Sequence, residues 1–168
     1  MKRPFYYDLE ADIVEDAPIC RITRNLYLGG AAAATDEKLL DSRNIQAILN
    51  LTEKGQVKNQ FSSKYIYHNI PLSDDDDHTD FTAHFTSACN FIHRRRMQNK
   101  AVLVHCVWGR LRSAKICAIY LMFAYRMKWY DALERVRRKR AVVPLNPAFL
   151  WQLSQRKPYH KRKQSNQS

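Results

Sequence analysis

Cys106 and Arg112 stand six positions apart, in the segment Val104-His105-Cys106-Val107-Trp108-Gly109-Arg110-Leu111-Arg112-Ser113. The cysteine closes one apolar run and the arginine opens another. If the backbone curls between them, successive N–H groups face one point. With a helix N-terminus behind it, such a nest holds a dianionic phosphate. Gly109 permits the tight curl, and the Arg112 guanidinium can grip two phosphate oxygens at once. The backbone of Val107, Trp108, Gly109, Arg110 and Leu111 completes the expected anion site. A free thiol ionises near a pH of about 8.5, and helix N-termini or nearby cations bring this to roughly 3.5–7.5. Cys106 is therefore expected as a thiolate at neutral pH, ready for in-line attack on phosphorus. Ser113 is expected to donate a hydrogen bond to the sulfur and to help it leave in a second step. His105 is expected to orient the turn by hydrogen bonding rather than to act as a base. A bare Cys-x5-Arg spacing is weak evidence, because cysteine is among the most buried residue types. Specificity comes from the context: an apolar strand, His-Cys, Gly at the third position, Arg-Ser, then an apolar helix.

The chemistry needs a second participant. The alcohol of a phosphate ester departs poorly unless it is protonated, and a placed acid typically contributes about 10²–10⁴-fold. The acidic run Ser73-Asp74-Asp75-Asp76-Asp77-His78 supplies candidates, of which Asp74 and Asp75 are best placed. Adjacent carboxylates repel one another, which favours keeping one of them protonated. The run lacks spaced ligand partners elsewhere, and Cys20, Cys89, Cys106 and Cys117 fit neither a zinc site nor a disulfide framework. No metal and no cofactor are expected.

These residues must be positioned by regular elements. Leu26-Tyr27-Leu28 followed by Gly29-Gly30 reads as a short strand ending in a turn, and Thr35 or Asp36 can cap a short helix through Leu39 and Leu40. Residues 46–51 read as a buried strand, and 65–70 as another closed by Pro71. Phe81, Phe85, Ala88 and Ile92 recur at helical spacing and predict an amphipathic helix over 80–97. Residues 101–104 form a fully apolar strand. The helix over 113–126 is apolar nearly all round and so belongs in the centre of the fold. Further helices are predicted over 130–140 and from Asn146-Pro147. Strands alternating with helices predict an α/β fold: a central, mostly parallel twisted sheet of about five strands, flanked by helices on both faces. Ligands on such sheets bind at the carboxyl ends of strands, which is where His105 ends its strand.

The 168 residues fit one domain: a polar lead-in over 1–20, a catalytic domain over 21–156 and a basic, disordered tail over 157–168. Hydrophobic residues make up 45% and aromatics 11%, enough for a packed core. The net charge of +12 favours anionic partners, whether phosphorylated proteins, nucleic acid or acidic membrane surfaces. Arg94-Arg95-Arg96, Arg137-Arg138-Lys139-Arg140 and Lys161-Arg162-Lys163 are the basic runs; solvated helix faces are the simpler explanation of them. No run of about 18 apolar residues predicts a membrane span, and the N-terminus does not read as a signal peptide. Cysteines whose spacing fits no disulfide framework point to a reducing compartment, cytoplasm or nucleus.

Taken together, His105-Cys106-x-x-Gly109-x-x-Arg112-Ser113 resembles the active-site motif of dual-specificity protein phosphatases, within the cysteine-based tyrosine phosphatase superfamily. The resemblance runs from about Arg21 to Leu153. Ile22-Thr23 with Leu26-Tyr27-Leu28-Gly29 resembles the family's opening strand, and Ile48-Leu49-Asn50-Leu51-Thr52 its second. Ile70-Pro71-Leu72-Ser73-Asp74 resembles the stretch that delivers the acid, Tyr120-Leu121-Met122 the helix behind the phosphate loop, and Asn146-Pro147 through Gln152-Leu153 the last helix. The compactness is that of small single-domain members, including those encoded by large DNA viruses. The resemblance implies hydrolysis of phosphotyrosine and of phosphoserine or phosphothreonine in proteins, with Cys106 as nucleophile, Arg112 as phosphate clamp and Ser113 as thiolate partner. Counting forward from Ile70-Pro71 makes Asp74 the acid, whereas counting back from Phe85 makes it Asp75; Asp74 is preferred. Two positions depart from the pattern. Leu111 stands where Ser is usual, and Arg110 adds a charge at the loop's rim, as in some relatives acting on phosphoinositides. A phosphoinositide or RNA 5′-phosphatase is thus the alternative, although RNA enzymes of the superfamily more often carry Thr where this chain has Ser113. A non-enzymatic phosphoprotein-binding module is disfavoured because nucleophile, clamp and acid candidates are all present.

Overall fold

The computed structural model describes residues 18–73, 82–143 and 147–155. The lead-in up to residue 17, the acidic run with Asp74 and Asp75, and the tail lie outside the described residues. Among the described residues, five strands form one sheet: β1 (Ile19–Thr23), β2 (Leu26–Gly29), β3 (Ile45–Asn50), β4 (Ile66–Asn69) and β5 (Ala101–His105), in the order β1-β2-β5-β3-β4. Only β1 runs antiparallel, paired with β2 across a tight turn; the other three pairings are parallel. The mostly parallel α/β sheet is thus observed.

Parallel strands are covered on both faces, so they read as continuous apolar runs rather than alternating ones. All five residues of β5 are buried. Val102 and Val104 pack into one core with Leu26, Leu28 and Leu49, while Ala101 and Leu103 join Ile45, Ile48 and Leu40 in a second core on the opposite face. The larger core receives the helices α3 (Thr82–Met97), α4 (Arg112–Tyr125), α5 (Trp129–Lys139) and α6 (Pro147–Ser154). Phe85, Ala88 and Ile92 of the expected stripe are buried on α3, joined by Cys89, while Phe81 lies outside the described residues. The smaller core is covered by α1 (Ala31–Ala34) and α2 (Glu37–Ser42). Asp36 caps α2, its side chain accepting from Leu39 N–H at 3.0 Å.

The central position of α4 follows from its composition. Every residue from Arg112 to Met122 is buried, and each fully buried large aliphatic side chain contributes roughly 1.5–3 kcal/mol. That burial fixes the helix axis firmly behind the C-terminal end of β5. The helix ends at Arg126, whose left-handed φ of 55° breaks the repeat.

Candidate active site

Residues 106–111 connect the end of β5 to the start of α4, and both flanking elements are locked in the core. The connection must therefore turn within a few residues at the carboxyl edge of the sheet. Gly109 makes the turn possible with a φ of +65°, and it lies hard against the end of β2. A Cβ on Gly109 would fall 2.5 Å from the carbonyl carbon of Gly29 and 2.7 Å from the nitrogen of Gly30. A Cβ on Gly30 would in turn meet the Val107 carbonyl oxygen at 2.8 Å. Gly29 and Gly30, read from the sequence only as a turn, form the floor on which the loop rests.

Cys106 is 2% exposed. Its Sγ lies 3.2 Å from Ser113 Oγ and accepts the Gly109 N–H at 3.2 Å. Ser113 is fully buried in the first turn of α4. That turn contains no acidic residue, so the positive end of the helix dipole is uncancelled there. Arg112, 4% exposed, is anchored from the far side: Nη1 donates to Leu72 O at 2.9 Å, to Gln56 Oε1 at 3.4 Å and to Leu51 O at 3.5 Å. Gln56 also accepts the Glu53 N–H at 3.2 Å, which holds its amide in place. The loop beyond β3 is braced by Asn50, whose side chain donates to Val57 O and accepts from Thr52 N–H. Since Leu72 lies two residues before Asp74, the clamp touches the base of the acidic segment. Cys106, Trp108, Arg110, Leu111 and Arg112 line a cavity of about 330 Å³. Trp108 is 70% exposed at its mouth.

The structure brings Cys106, Gly109, Arg112 and Ser113 together with the loop backbone. The Val107 carbonyl points away from the cavity and accepts the Ala31 N–H at 2.8 Å. Asp74 and Asp75 lie outside the described residues. Sequence reasoning missed Gly29, Gly30, Gln56 and the Leu72 carbonyl. The Gly-Gly pair at the end of a strand was the available signal for the first two; the others act across long sequence separations that no local pattern encodes. Among the described residues, no group of His, Cys, Asp and Glu is placed to hold a metal ion, and no helix is long and apolar enough to cross a membrane.

His105 is 1% exposed, with Nδ1 3.3 Å from Cys106 O. A carbonyl only accepts, so Nδ1 carries the proton. Burial pushes the His105 pKa down from 6.5 to about 4; the bond to Cys106 O opposes this and the Arg112 charge reinforces it. The ring is therefore neutral at pH 7. A depressed folded value means that the unfolded chain takes up a proton first as pH falls. Stability is full above pH 6.5 and declines toward pH 4, by about 3 kcal/mol from this group. Urea unfolding measured between pH 7.5 and 4 checks this: His105→Asn should flatten that part of the profile, and an unchanged slope would reject the assignment.

Residues 26–158 match the family model described as "Dual specificity phosphatase, catalytic domain". Human dual specificity protein phosphatase 1 is 36% identical over 130 residues, covering 77% of this chain. The chain spans only 35% of that relative's length. Among solved structures, human DUSP28 superposes with a TM-score of 0.72 at 28% identity, covering 83% of this chain and 93% of its own. The human tyrosine phosphatase-like serine/threonine/tyrosine-interacting protein gives a TM-score of 0.73 at 27% identity, covering 82% and 93% respectively. Fold, loop and match agree on one class, the cysteine-based phosphatases built on a sheet-end anion loop. Within it, the chain belongs to the dual-specificity phosphatase family.

Proposed function

We propose that this chain hydrolyses phosphotyrosine and phosphoserine or phosphothreonine in proteins through a phosphocysteine on Cys106. The observation that carries this reading is the convergence of two groups, Ser113 Oγ and Gly109 N–H, on one buried sulfur beside the Arg112-lined cavity. In the first step the Cys106 thiolate attacks phosphorus, the S–P bond forms and the ester P–O bond breaks. The departing oxygen takes a proton from Asp74, or from Asp75 if the longer loop shifts the register. The loop N–H groups and the Arg112 guanidinium stabilise charge on the equatorial oxygens throughout. In the second step water attacks the phosphocysteine and gives its proton to the same carboxylate. The S–P bond breaks, inorganic phosphate leaves, and Ser113 steadies the returning thiolate. His105, neutral and hydrogen-bonded to the Cys106 carbonyl, orients the turn. The backbone of Val107, Trp108, Gly109, Arg110 and Leu111 supplies the rest of the cradle. The catalytic domain is residues 21–156, and four cysteines outside any disulfide suit a reducing cytoplasm or nucleus.

Rapid mixing with p-nitrophenyl phosphate tests the mechanism. A burst of phenolate equal to the enzyme concentration is expected, with acid-quenched label mapping to the Cys106 peptide. Absence of both burst and label would leave a phosphoprotein-binding module instead. Phosphopeptide turnover should exceed that of phosphoinositide and RNA 5′-phosphate substrates; the reverse ranking would reassign the substrate class.

A further inference from the structure

The outward side of the phosphate loop is held as deliberately as the inward side. A peptide unit is planar and trans, so its C=O and N–H point in opposite directions. For N–H groups to face an anion, the matching carbonyls must face outward, where each needs a donor. Val107 O receives the Ala31 N–H at 2.8 Å. The next two carbonyls converge on Arg140, the residue that ends α5. Its Nε donates to Gly109 O at 2.6 Å and its Nη2 to Trp108 O at 3.4 Å, while Nη1 lies 3.5 Å from Cys20 Sγ. The Trp108 carbonyl shares a peptide plane with the Gly109 N–H, the group that points at Cys106 Sγ at 3.2 Å. The Gly109 carbonyl shares a plane with the Arg110 N–H.

We infer that Arg140 is a positioning residue that sets these two peptide planes and, through them, the reactivity of Cys106 and the affinity of the loop for phosphate. The inference rests on Cys106 being the nucleophile. Several features favour the role. The guanidinium is a rigid planar fork, able to serve two carbonyls at fixed spacing where an ammonium serves one at a time. The side chain is half-buried and reaches the loop from behind, on the outer side of the carbonyls. Its positive charge also draws electron density toward the two oxygens, which makes the opposite N–H groups better donors.

The test avoids turnover as its only readout. Iodoacetate alkylation of Cys106 at neutral pH and inhibition by inorganic phosphate are measured on the full chain. The variants are Arg140→Met, Arg140→Lys and, as a control on the same helix, Arg138→Met, which loses only an exposed pair with Glu134. With Arg140→Met, alkylation should slow and phosphate should bind more weakly, each by about tenfold, the size of losing hydrogen bonds that act on a charged group. Arg140→Lys keeps the charge and loses the fork, so both readouts should fall by at least roughly threefold. Arg138→Met should match the parent. If Arg140→Lys equals the parent, charge alone suffices and the positioning role is wrong. It is equally overturned if Arg140→Met leaves both readouts unchanged. Should Arg140→Met fail to fold, Arg140→Lys decides. If the parent's Cys106 does not react with iodoacetate at all, the catalytic assignment fails rather than this one.

Discussion

Replacing Cys106 with serine is expected to remove phosphatase turnover while leaving phosphopeptide binding nearly intact. A serine hydroxyl is un-ionised at neutral pH and is a far weaker nucleophile than a thiolate. Loss of a covalent nucleophile costs on the order of 10⁵-fold or more in kcat when nothing replaces it. No neighbouring sulfur is suited to take over. Burial pushes the Cys117 thiol well above its ordinary value, and the nearby Cys106 and Cys89 push it further. The fold should tolerate the change, because the smaller Oγ keeps the partners Sγ had, Ser113 Oγ and Gly109 N–H, both 3.2 Å away. The groups expected to seat the phosphate, the loop N–H groups and Arg112, are untouched. Calorimetric titration of a non-hydrolysed phosphotyrosine peptide should therefore give a Kd within a few-fold of the parent KM. Full turnover by the serine variant would end the covalent mechanism. Loss of binding together with turnover would mean that the substitution disturbs the cradle itself, and the serine variant would then say nothing of the nucleophile alone.

The legibility of this molecule in its sequence divides along physical lines. β3 and β5 announce themselves because strands covered on both faces need unbroken apolar runs. α4 does so because a helix apolar all round has nowhere to lie but the centre. The stripe Phe85, Ala88, Ile92 marks α3 by its helical spacing, one apolar face turned to the core. The edge of the sheet is harder to read. β1 is an edge strand with Arg21 exposed in its middle, and Ile22-Thr23 was recognisable only through resemblance to a family. α1 is a single turn of four alanines, too short to show a period although each residue favours helix. At the site, Cys106, Arg112 and Ser113 were visible because one short turn carries them all. Their supports were not. Gln56 reaches Arg112 across 56 positions, and Arg140 reaches Gly109 across 31. Such contacts are made mostly to backbone oxygens, which every residue possesses, so no residue type betrays them.

Gly109→Ala should damage both the fold and the site, and a second glycine provides the comparison that separates strain from crowding. Gly109 sits at φ +65°, a conformation that costs an L-residue with a Cβ about 1–2 kcal/mol. The added methyl would also lie 2.5 Å from Gly29 C and 2.6 Å from Gly29 O. Those atoms belong to the backbone of β2, itself paired to β1 and β5, so they cannot swing aside as a side chain would. Nor can a compensating substitution make room, since the residues beneath are already Gly29 and Gly30. Overpacking of this kind typically adds about 1–3 kcal/mol. A combined loss of roughly 2–5 kcal/mol is a large share of the roughly 5–15 kcal/mol that holds a domain folded. Whatever relief occurs must come from the loop lifting off β2, which moves the Gly109 N–H away from Cys106 Sγ. A misplacement of about 1 Å costs on the order of 10²-fold in rate. Gly55 has the same backbone requirement, with φ +81°, but among the described residues a Cβ there meets nothing within 4 Å. Gly55→Ala should therefore lose only the roughly 1–2 kcal/mol of strain and keep its kcat/KM within a few-fold. Urea unfolding and steady-state kinetics on the two variants decide the matter. If Gly109→Ala matched Gly55→Ala in both, the close seating of the loop on β2 would have no part in catalysis.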